Sequence, residues 1–297
     1  MRYHLTNGHL NQEPTILLVG CGGTGGFVAE QLCRLFTGRA ARIILQDHDR
    51  VEPHNLLRQN FHPEDVGEFK SKALATRLSC EFQRPVAYSV YPFRNEREVL
   101  YEGRGGTMYT DWSRERNGDL MIGCVDNAAA RAAMAQAVKP WSWYVDAGNG
   151  ETWGQVLVGN SDGARYRLEK SFHEKEGMCT ALPLPTLQQP GLLEVQPDTQ
   201  PDIDCAAALD LTDQDPTINN MMAALVVQVV RRLVAGTCPW MALYLALETG
   251  TVTPVYATPE NVSKITGLPV KNLVVPAPAP PPPPKPLAEV FAQETRE

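Results

Sequence analysis

A glycine-rich segment joins an apolar run to a helical pattern near the start of this sequence. The segment reads ILLVGCGGTGG over residues 16–26. The glycines that fit or adjoin the spacing G-x-G-x-x-G are Gly20, Gly22, Gly23, Gly25 and Gly26. Such glycines permit a tight turn and a close approach of phosphate oxygens to the backbone, and the following helix supplies amide donors. The spacing therefore predicts a nucleotide-binding turn.

Acidic residues follow at the end of the next apolar run. Asp47 comes about twenty residues after the glycines, where an acid can hold ribose hydroxyls. Asp49 stands two positions later, and we group it with Asp47 as a candidate for nucleotide binding. NAD and ATP sites both use an acid at this place, so Asp47 alone does not separate them.

The residues that come next favour a triphosphate. Asn55, Arg58 and Gln59 follow the acids, and Lys70 comes three residues after Gly67. We expect Arg58 and Lys70 to neutralise phosphate charge, and Asn55 and Gln59 to orient the phosphates. A hydride-transfer enzyme does not need this set of residues, whereas an enzyme that binds ATP does.

A further acid follows another predicted strand. The segment Gly123-Cys124-Val125-Asp126-Asn127 places Asp126 where a carboxylate could ligate Mg²⁺ beside the phosphates, and Asn127 is a second nucleotide-binding candidate. Taken alone, Asp126 could instead cap the next helix, and Arg58 or Lys70 could be a solvated surface charge. Their occurrence in this order makes a site for ATP and Mg²⁺ the better interpretation.

The elements that must position these residues alternate between strand and helix. The predicted strands are TILLVG, ARIILQD, PVAYSVYPF, DLMIGCVDN, WYVDAGN and GQVLVG. The predicted helices between them are FVAEQLCRLFTG, KSKALATRLSCEF and AAARAAMAQAV. This alternation predicts an α/β fold, a doubly wound, Rossmann-like and mostly parallel sheet with helices on both faces. Such a sheet binds ligands at the carboxyl ends of its strands.

The second half is less regular. Residues 160–215 are rich in Pro, Asp and Gln and predict a long irregular excursion. INNMMAALVVQVVRRLVAG then predicts a buried helix, and TVTPVYA a late strand. The run PAPAPPPPPKP predicts a stiff spacer, so we divide the chain into one nucleotide-binding domain over 1–275 and a proline-rich tail over 276–297.

Composition excludes several classes. The net charge of −7 gives no basic surface for nucleic acid, and no apolar run reaches the roughly 18 residues of a membrane span. The N-terminal MRYHLTNGHL lacks the apolar core of a signal peptide, so we expect a cytoplasmic protein. The 7 cysteines include no C-x-x-C pair, so we expect neither a disulfide framework nor a structural zinc site.

The combined motifs resemble the ThiF/MoeB/ubiquitin-activating (E1-like) superfamily. They are GxGGxG, DxDxVxxxNLxRQ, VGxxK, and CxDN followed by Arg131, and they cover about residues 15–158. The resemblance implies adenylation, with ATP and Mg²⁺, of the C-terminal glycine carboxylate of a ubiquitin-like or sulfur-carrier protein, usually by a homodimer. It gives catalytic roles to Arg58, Lys70 and Asp126, with Asp126 as the magnesium-linked residue. The paired C-x-x-C zinc ligands of ThiF and MoeB proper are missing.

The second half resembles ThiF-related proteins of the PRTRC bacterial cassette. The matching segments are YVDAGNGETWGQVLVG, ALPLPTL and DCAAALDLTDQDPTINNMMAALV. This resemblance implies companions that are ubiquitin-like, conjugating-enzyme-like and isopeptidase-like, and therefore a ubiquitin-like protein and a conjugating-enzyme-like protein as partners.

One cysteine could extend the chemistry. Gly177-Met178-Cys179-Thr180 resembles the Cys-Thr motif of activating enzymes that form a thioester, so Cys179 is a candidate nucleophile. The alternatives are a buried or incidental loop cysteine at this position, or Cys205 as the nucleophile. Two other functions stay open at this point, a non-catalytic nucleotide-binding scaffold and an NAD-dependent oxidoreductase.

Overall fold

The computed structural model describes most of the chain. The described residues are 2–6, 13–93, 99–103, 106–110, 120–138, 142–194, 215 and 217–278, with the backbone alone for 99–103 and 106–110. Cys205 and the tail from residue 279 onward lie outside these ranges. No helix in the described part of the chain has both the length and the apolar character needed to cross a membrane.

The strands of the described residues are short, with two to seven residues each. In chain order they are β1 (His4–Leu5), β2 (Thr15–Val19), β3 (Arg42–Gln46), β4 (Val86–Ser89), β5 (Val99–Gly103), β6 (Gly106–Thr110), β7 (Leu120–Gly123), β8 (Trp143–Asn149), β9 (Trp153–Gly159), β10 (Phe172–His173), β11 (Met178–Cys179), β12 (Trp240–Ala246), β13 (Thr251–Tyr256) and β14 (Val274–Val275). A 10-stranded sheet has the order β13-β12-β9-β8-β7-β2-β3-β4-β5-β6. Its central strands, β8-β7-β2-β3-β4, pair in parallel, and antiparallel strands extend both sides.

The helices cover both faces of this sheet. They are α1 (Gly23–Leu35), α2 (Lys70–Glu81), α3 (Ala128–Ala137), α4 (Arg165–Leu168), α5 (Pro185–Gln188), α6 (Ile218–Val234), α7 (Pro259–Thr266) and α8 (Val270–Leu273). Side chains of β2 alternate between two cores: Leu18 packs in the cluster with Leu32 of α1, and Leu17 in the cluster with Met134 of α3. This two-sided burial is the reason why residues 16–19, ILLV, are all apolar. The predicted doubly wound α/β fold is confirmed.

The order of the central strands fixes where a ligand can bind. The chain runs from β2 outward through β3 and β4, and then returns to the other side of β2 with β7 and β8. The carboxyl ends of β2 and β7 therefore flank the point where the winding direction reverses. This topological switch point is the usual ligand crevice of an open α/β sheet.

The predicted excursion is only partly irregular where it is described. Residues 160–194 contain α4, α5, a 3₁₀ turn at Pro190–Leu193, and the two short strands β10 and β11. These strands join a 4-stranded sheet of order β1-β11-β10-β14, which ties both ends of the described chain together. β12 and α7 were not among the sequence predictions.

Candidate active site

The glycine turn lies between β2 and α1 at the switch point. Gly20 has φ +88, and its N–H donates to the carbonyl oxygen of Gln46 at 2.9 Å. A Cβ on Gly20 would overlap the carbonyl oxygen of Cys124, and a Cβ on Gly25 would overlap the carbonyl oxygen of Gly20. Larger residues are therefore excluded at both positions by backbone atoms. The first-turn amides of α1 have no partner within the helix and open onto this turn.

Asp47 lies directly beside the turn. The N–H of Cys21 donates to its Oδ2 at 2.6 Å, and the N–H of Asp49 donates to its Oδ1 at 2.8 Å. Burial raises the pKa of Asp47, whereas the two amide bonds oppose that rise. Each carboxylate oxygen has a second lone pair, so Asp47 can accept further hydrogen bonds from a ligand hydroxyl. The ribose role of Asp47 stays a prediction.

Lys70 and Asp49 form an ion pair at the neighbouring strand end. Lys70 Nζ lies 3.1 Å from Asp49 Oδ2, with 11% of the lysine side chain and 54% of the aspartate side chain exposed. The N–H of Lys70 also donates to the carbonyl oxygen of Asp49 at 2.8 Å, which fixes the start of α2 against the end of β3. Ligand atoms of Asp47, His48 and Asp49 lie within 4.8 Å of one another, a grouping that could hold a cation.

The segment after Asp49 carries the predicted phosphate contacts. Asn55 is buried in the 3₁₀ helix Pro53–Leu57, where its Oδ1 accepts from the N–H of Glu52 at 2.9 Å and its Nδ2 contacts His54 Nε2 at 2.9 Å. The side chain of Asn55 therefore stabilises this segment through hydrogen bonds within the segment itself. Arg58 follows at the C-cap of that helix.

Gln59 faces the glycine turn. Its Oε1 is buried without a hydrogen-bond partner among the described residues, and a Cβ on Gly22 would lie 3.8 Å from that atom. Buried polar atoms are rarely left unpaired in native structures, so an unpaired one at a ligand crevice indicates a group that a ligand can satisfy. Gln59 is the predicted residue whose surroundings point most directly to a ligand.

Asp126 lies exposed on the turn between β7 and α3. The N-cap of α3 is Asn127, whose Oδ1 accepts from the N–H of Ala130 at 2.8 Å. Asn127, and not Asp126, therefore caps α3. This is a structural function of Asn127 in addition to any contact with nucleotide. The Asp126 carboxylate is left facing solvent at the carboxyl edge of the sheet.

A buried ion pair shapes the Asp126 turn from behind. Arg131 Nη2 donates to the carbonyl oxygen of Val125 at 2.5 Å, and Arg131 Nε lies 3.4 Å from Asp146 Oδ1. The hydroxyl of Tyr144 donates to the same oxygen at 2.7 Å. Burial raises the pKa of Asp146, whereas the nearby guanidinium opposes that rise. This arrangement fixes the main chain immediately before Asp126.

Sequence reasoning missed a cluster of two asparagine amides and a threonine hydroxyl that joins three parts of the site. The hydroxyl of Thr24 donates to Asn149 Oδ1 at 2.9 Å and lies 3.3 Å from Asn219 Oδ1. Asn219 Nδ2 donates to the carbonyl oxygen of Arg58 at 3.2 Å. The only available signal was the presence of polar residues in otherwise apolar elements, WYVDAGN and INNMMAALVV.

The structure does not bring Cys179 to this edge as a reactive thiol. Cys179 is fully buried in β11, between Leu5 of β1 and Phe172 of β10, and its Sγ donates to the carbonyl oxygen of Ala181 at 3.3 Å. Burial raises the pKa of this thiol far above its usual range. The expectation of a thioester at Cys179 does not fit these surroundings, because attack requires an accessible thiolate.

Known proteins resemble this chain in sequence and in fold. The ThiF family profile matches residues 9–269. The Ubiquitin-like modifier-activating enzyme 5 of Oryza sativa subsp. japonica is 34% identical over 128 residues, which cover 42% of this chain and 30% of that protein. The chain thus spans less than a third of the length of that curated relative.

Solved structures share the fold at low identity. A crystal structure of PaaA has a TM-score of 0.54 and 16% identity, with 82% of this chain and 64% of that chain covered. A crystal structure of E. coli MccB with ATP has a TM-score of 0.51 and 18% identity, with 82% and 63% covered. The family profile extends over most of the sequence, and the fold and the glycine turn agree with it. The chain therefore belongs to the ThiF family.

Proposed function

We propose that this chain is an ATP-dependent adenylating enzyme that activates the C-terminal carboxylate of a ubiquitin-like or sulfur-carrier-like small protein. The observation that carries the proposal is the convergence of three features at the carboxyl edge of the sheet: the glycine turn, Asp47, and the segment of Arg58 and Gln59. Family membership and the similarity to Ubiquitin-like modifier-activating enzyme 5 support the substrate class.

The residues at this edge suit ATP. The amides of the first turn of α1 and its dipole favour phosphate oxygens, and Gly20 and Gly25 leave no side chain in the way. Rotation of the Gln59 amide would present its NH₂ group to a phosphate oxygen. Asp47 would accept hydrogen bonds from the ribose hydroxyls, in addition to those from Cys21 and Asp49.

The residues also suit Mg²⁺, which prefers hard oxygen ligands. The exposed carboxylate of Asp126 would hold the ion, and its turn is kept in shape by Arg131 and Asn127. Bound Mg²⁺ supplies neutralisation of the phosphate charge. The group Asp47, His48 and Asp49 is a second place where a cation could be held.

In the proposed reaction, a carboxylate oxygen of the small protein attacks the α-phosphorus of ATP. The bond from that phosphorus to the bridging oxygen breaks, and pyrophosphate leaves with the bonding electrons. Arg58 and Lys70 would stabilise the charge that develops on the phosphates, with Lys70 exchanging its partner Asp49 for the ligand. The product is an acyl adenylate, and no step is assigned to Cys179. A homodimer and a conjugating-enzyme-like partner stay predictions.

The experiment is ATP–pyrophosphate exchange in the presence of a ubiquitin-like partner that ends in glycine. Arg58→Ala and Asp126→Ala should each lower the exchange rate by about 100-fold or more, the usual effect of removing one charge-stabilising group. Arg165→Ala is the matched control, because Arg165 is the first residue of α4 and pairs with Glu169 at the C-cap of that helix, and α4 contributes no residue to this site. Wild-type exchange in both site variants would show that the assigned roles are wrong.

A further inference from the structure

Asn219 is a buried polar side chain that the site motifs do not include. It is the second residue of α6, and only 3% of it is exposed. Burying an amide is costly unless its donors and acceptors are paired. The position of Asn219 in an apolar helix therefore calls for a reason other than packing.

The contacts of Asn219 join the glycine turn to the segment of Arg58. Its Nδ2 donates to the carbonyl oxygen of Arg58 at 3.2 Å. Its Oδ1 lies 3.3 Å from the hydroxyl of Thr24 and 3.5 Å from Nδ2 of Asn149. A Cβ on Gly23 would lie 2.5 Å from Asn219 Nδ2, so the amide fills the space above that glycine.

These contacts fix the position of the Arg58 main chain relative to the glycine turn. Residues 58 and 219 are 161 positions apart, so local sequence cannot fix this distance. Arg58 is the C-cap of a 3₁₀ helix of five residues, a short element with few internal restraints. Asn219 supplies a restraint from the rigid helix α6 to the main chain of Arg58, and the same amide packs against the peptide at which α1 begins.

We propose that Asn219 is a positioning residue that holds Arg58 at the distance from the glycine turn required for binding ATP. The inference rests on the proposed function, because it takes Arg58 as the residue that contacts the phosphates. The Asn219 side chain acts by binding the main chain of Arg58, and in this proposal it contacts no phosphate itself. Without the Asn219 amide, the guanidinium of Arg58 would still be present, but it would no longer be held where it can contact the phosphates.

A double-mutant cycle tests this inference by calorimetry with ATP and Mg²⁺. Asn219→Ala should weaken binding about 10-fold in the wild-type background, the usual effect of losing one hydrogen bond at a restrained site. In the Arg58→Ala background the same change should have less than about a 2-fold effect, because the residue that Asn219 positions is gone. Equal losses in both backgrounds, or no loss in the first, would overturn the inference.

Two additions keep the test decisive. Asn160→Ala is the matched control, because Asn160 is also buried and lies outside the site. Its Oδ1 accepts from the N–H of Leu182 at 2.9 Å, and its Nδ2 donates to the carbonyl oxygen of Thr180 at 3.0 Å. It should affect thermal stability but not the affinity for ATP.

Should Asn219→Ala fail to fold, Asn219→Ser gives the same comparison, since a serine hydroxyl is too short to reach the Arg58 carbonyl. A wild-type protein that does not bind ATP would refute the proposed function, whereas additive losses would refute only the positioning role.

Discussion

The replacement of Gly20 by alanine tests the geometry of the glycine turn. Gly20 has φ +88, a conformation that costs a residue with a Cβ about 1–2 kcal/mol. The new Cβ would also overlap the carbonyl oxygen of Cys124, a backbone atom that cannot rotate away. Overpacking of this kind typically costs about 1–3 kcal/mol. We therefore expect Gly20→Ala to lower the free energy of unfolding by about 2–5 kcal/mol.

Gly38→Ala is the matched control for this experiment. Gly38 has φ +72, and nothing lies within 4 Å of the position that its Cβ would occupy. This variant carries the backbone cost alone, so the two variants should differ by about 1–3 kcal/mol in urea unfolding. Only Gly20→Ala should also weaken binding of ATP with Mg²⁺. Equal destabilisation by the two variants would refute the close approach between Gly20 and the end of β7.

Three further predictions concern the surroundings of the site. Arg131→Ala should destabilise the fold by about 3–5 kcal/mol in urea unfolding, because Asp146 loses its buried partner; adding Asp146→Asn should recover part of this loss, and no recovery would refute the pairing. Under native conditions, iodoacetamide should label the exposed Cys80 and spare the buried Cys179, as read by mass spectrometry, and equal labelling would restore Cys179 as a candidate nucleophile. Truncation after Val275 should leave the affinity for ATP unchanged in calorimetry, since a proline-rich spacer forms no packed core, and a large loss would show that the tail docks on the nucleotide fold.

Local patterns were enough to predict the parts of the site that lie on one strand and the turn after it. Gly20 and Asp47 each follow a run of apolar residues, and the ends of parallel strands meet at one edge of the sheet. The same reasoning predicted the turn of Asp126 after β7. It could not tell that Asn127, and not Asp126, accepts the capping bond of α3, because both residue types favour that position.

Contacts between distant segments were beyond the reach of the sequence pattern. Asn219 meets Arg58 across 161 positions, and no periodicity signals that contact. The strands β10 and β11 have two residues each, too few to show alternation, so the pairing of β11, which contains Cys179, with β1 and β10 was not predicted. The short Cys-Thr motif described the neighbours of Cys179 in sequence, whereas reactivity depends on its neighbours in space.

The most direct test of the central claim is calorimetry of the wild-type protein with ATP and Mg²⁺, beside an identical titration with NAD. We predict saturable binding of ATP that is weakened about 10-fold, and is still measurable, in Arg58→Ala. We predict no binding of NAD, because NAD lacks the third phosphate that Arg58 and Lys70 are expected to contact. Binding of NAD without binding of ATP would contradict the assignment of this site as an adenylation site.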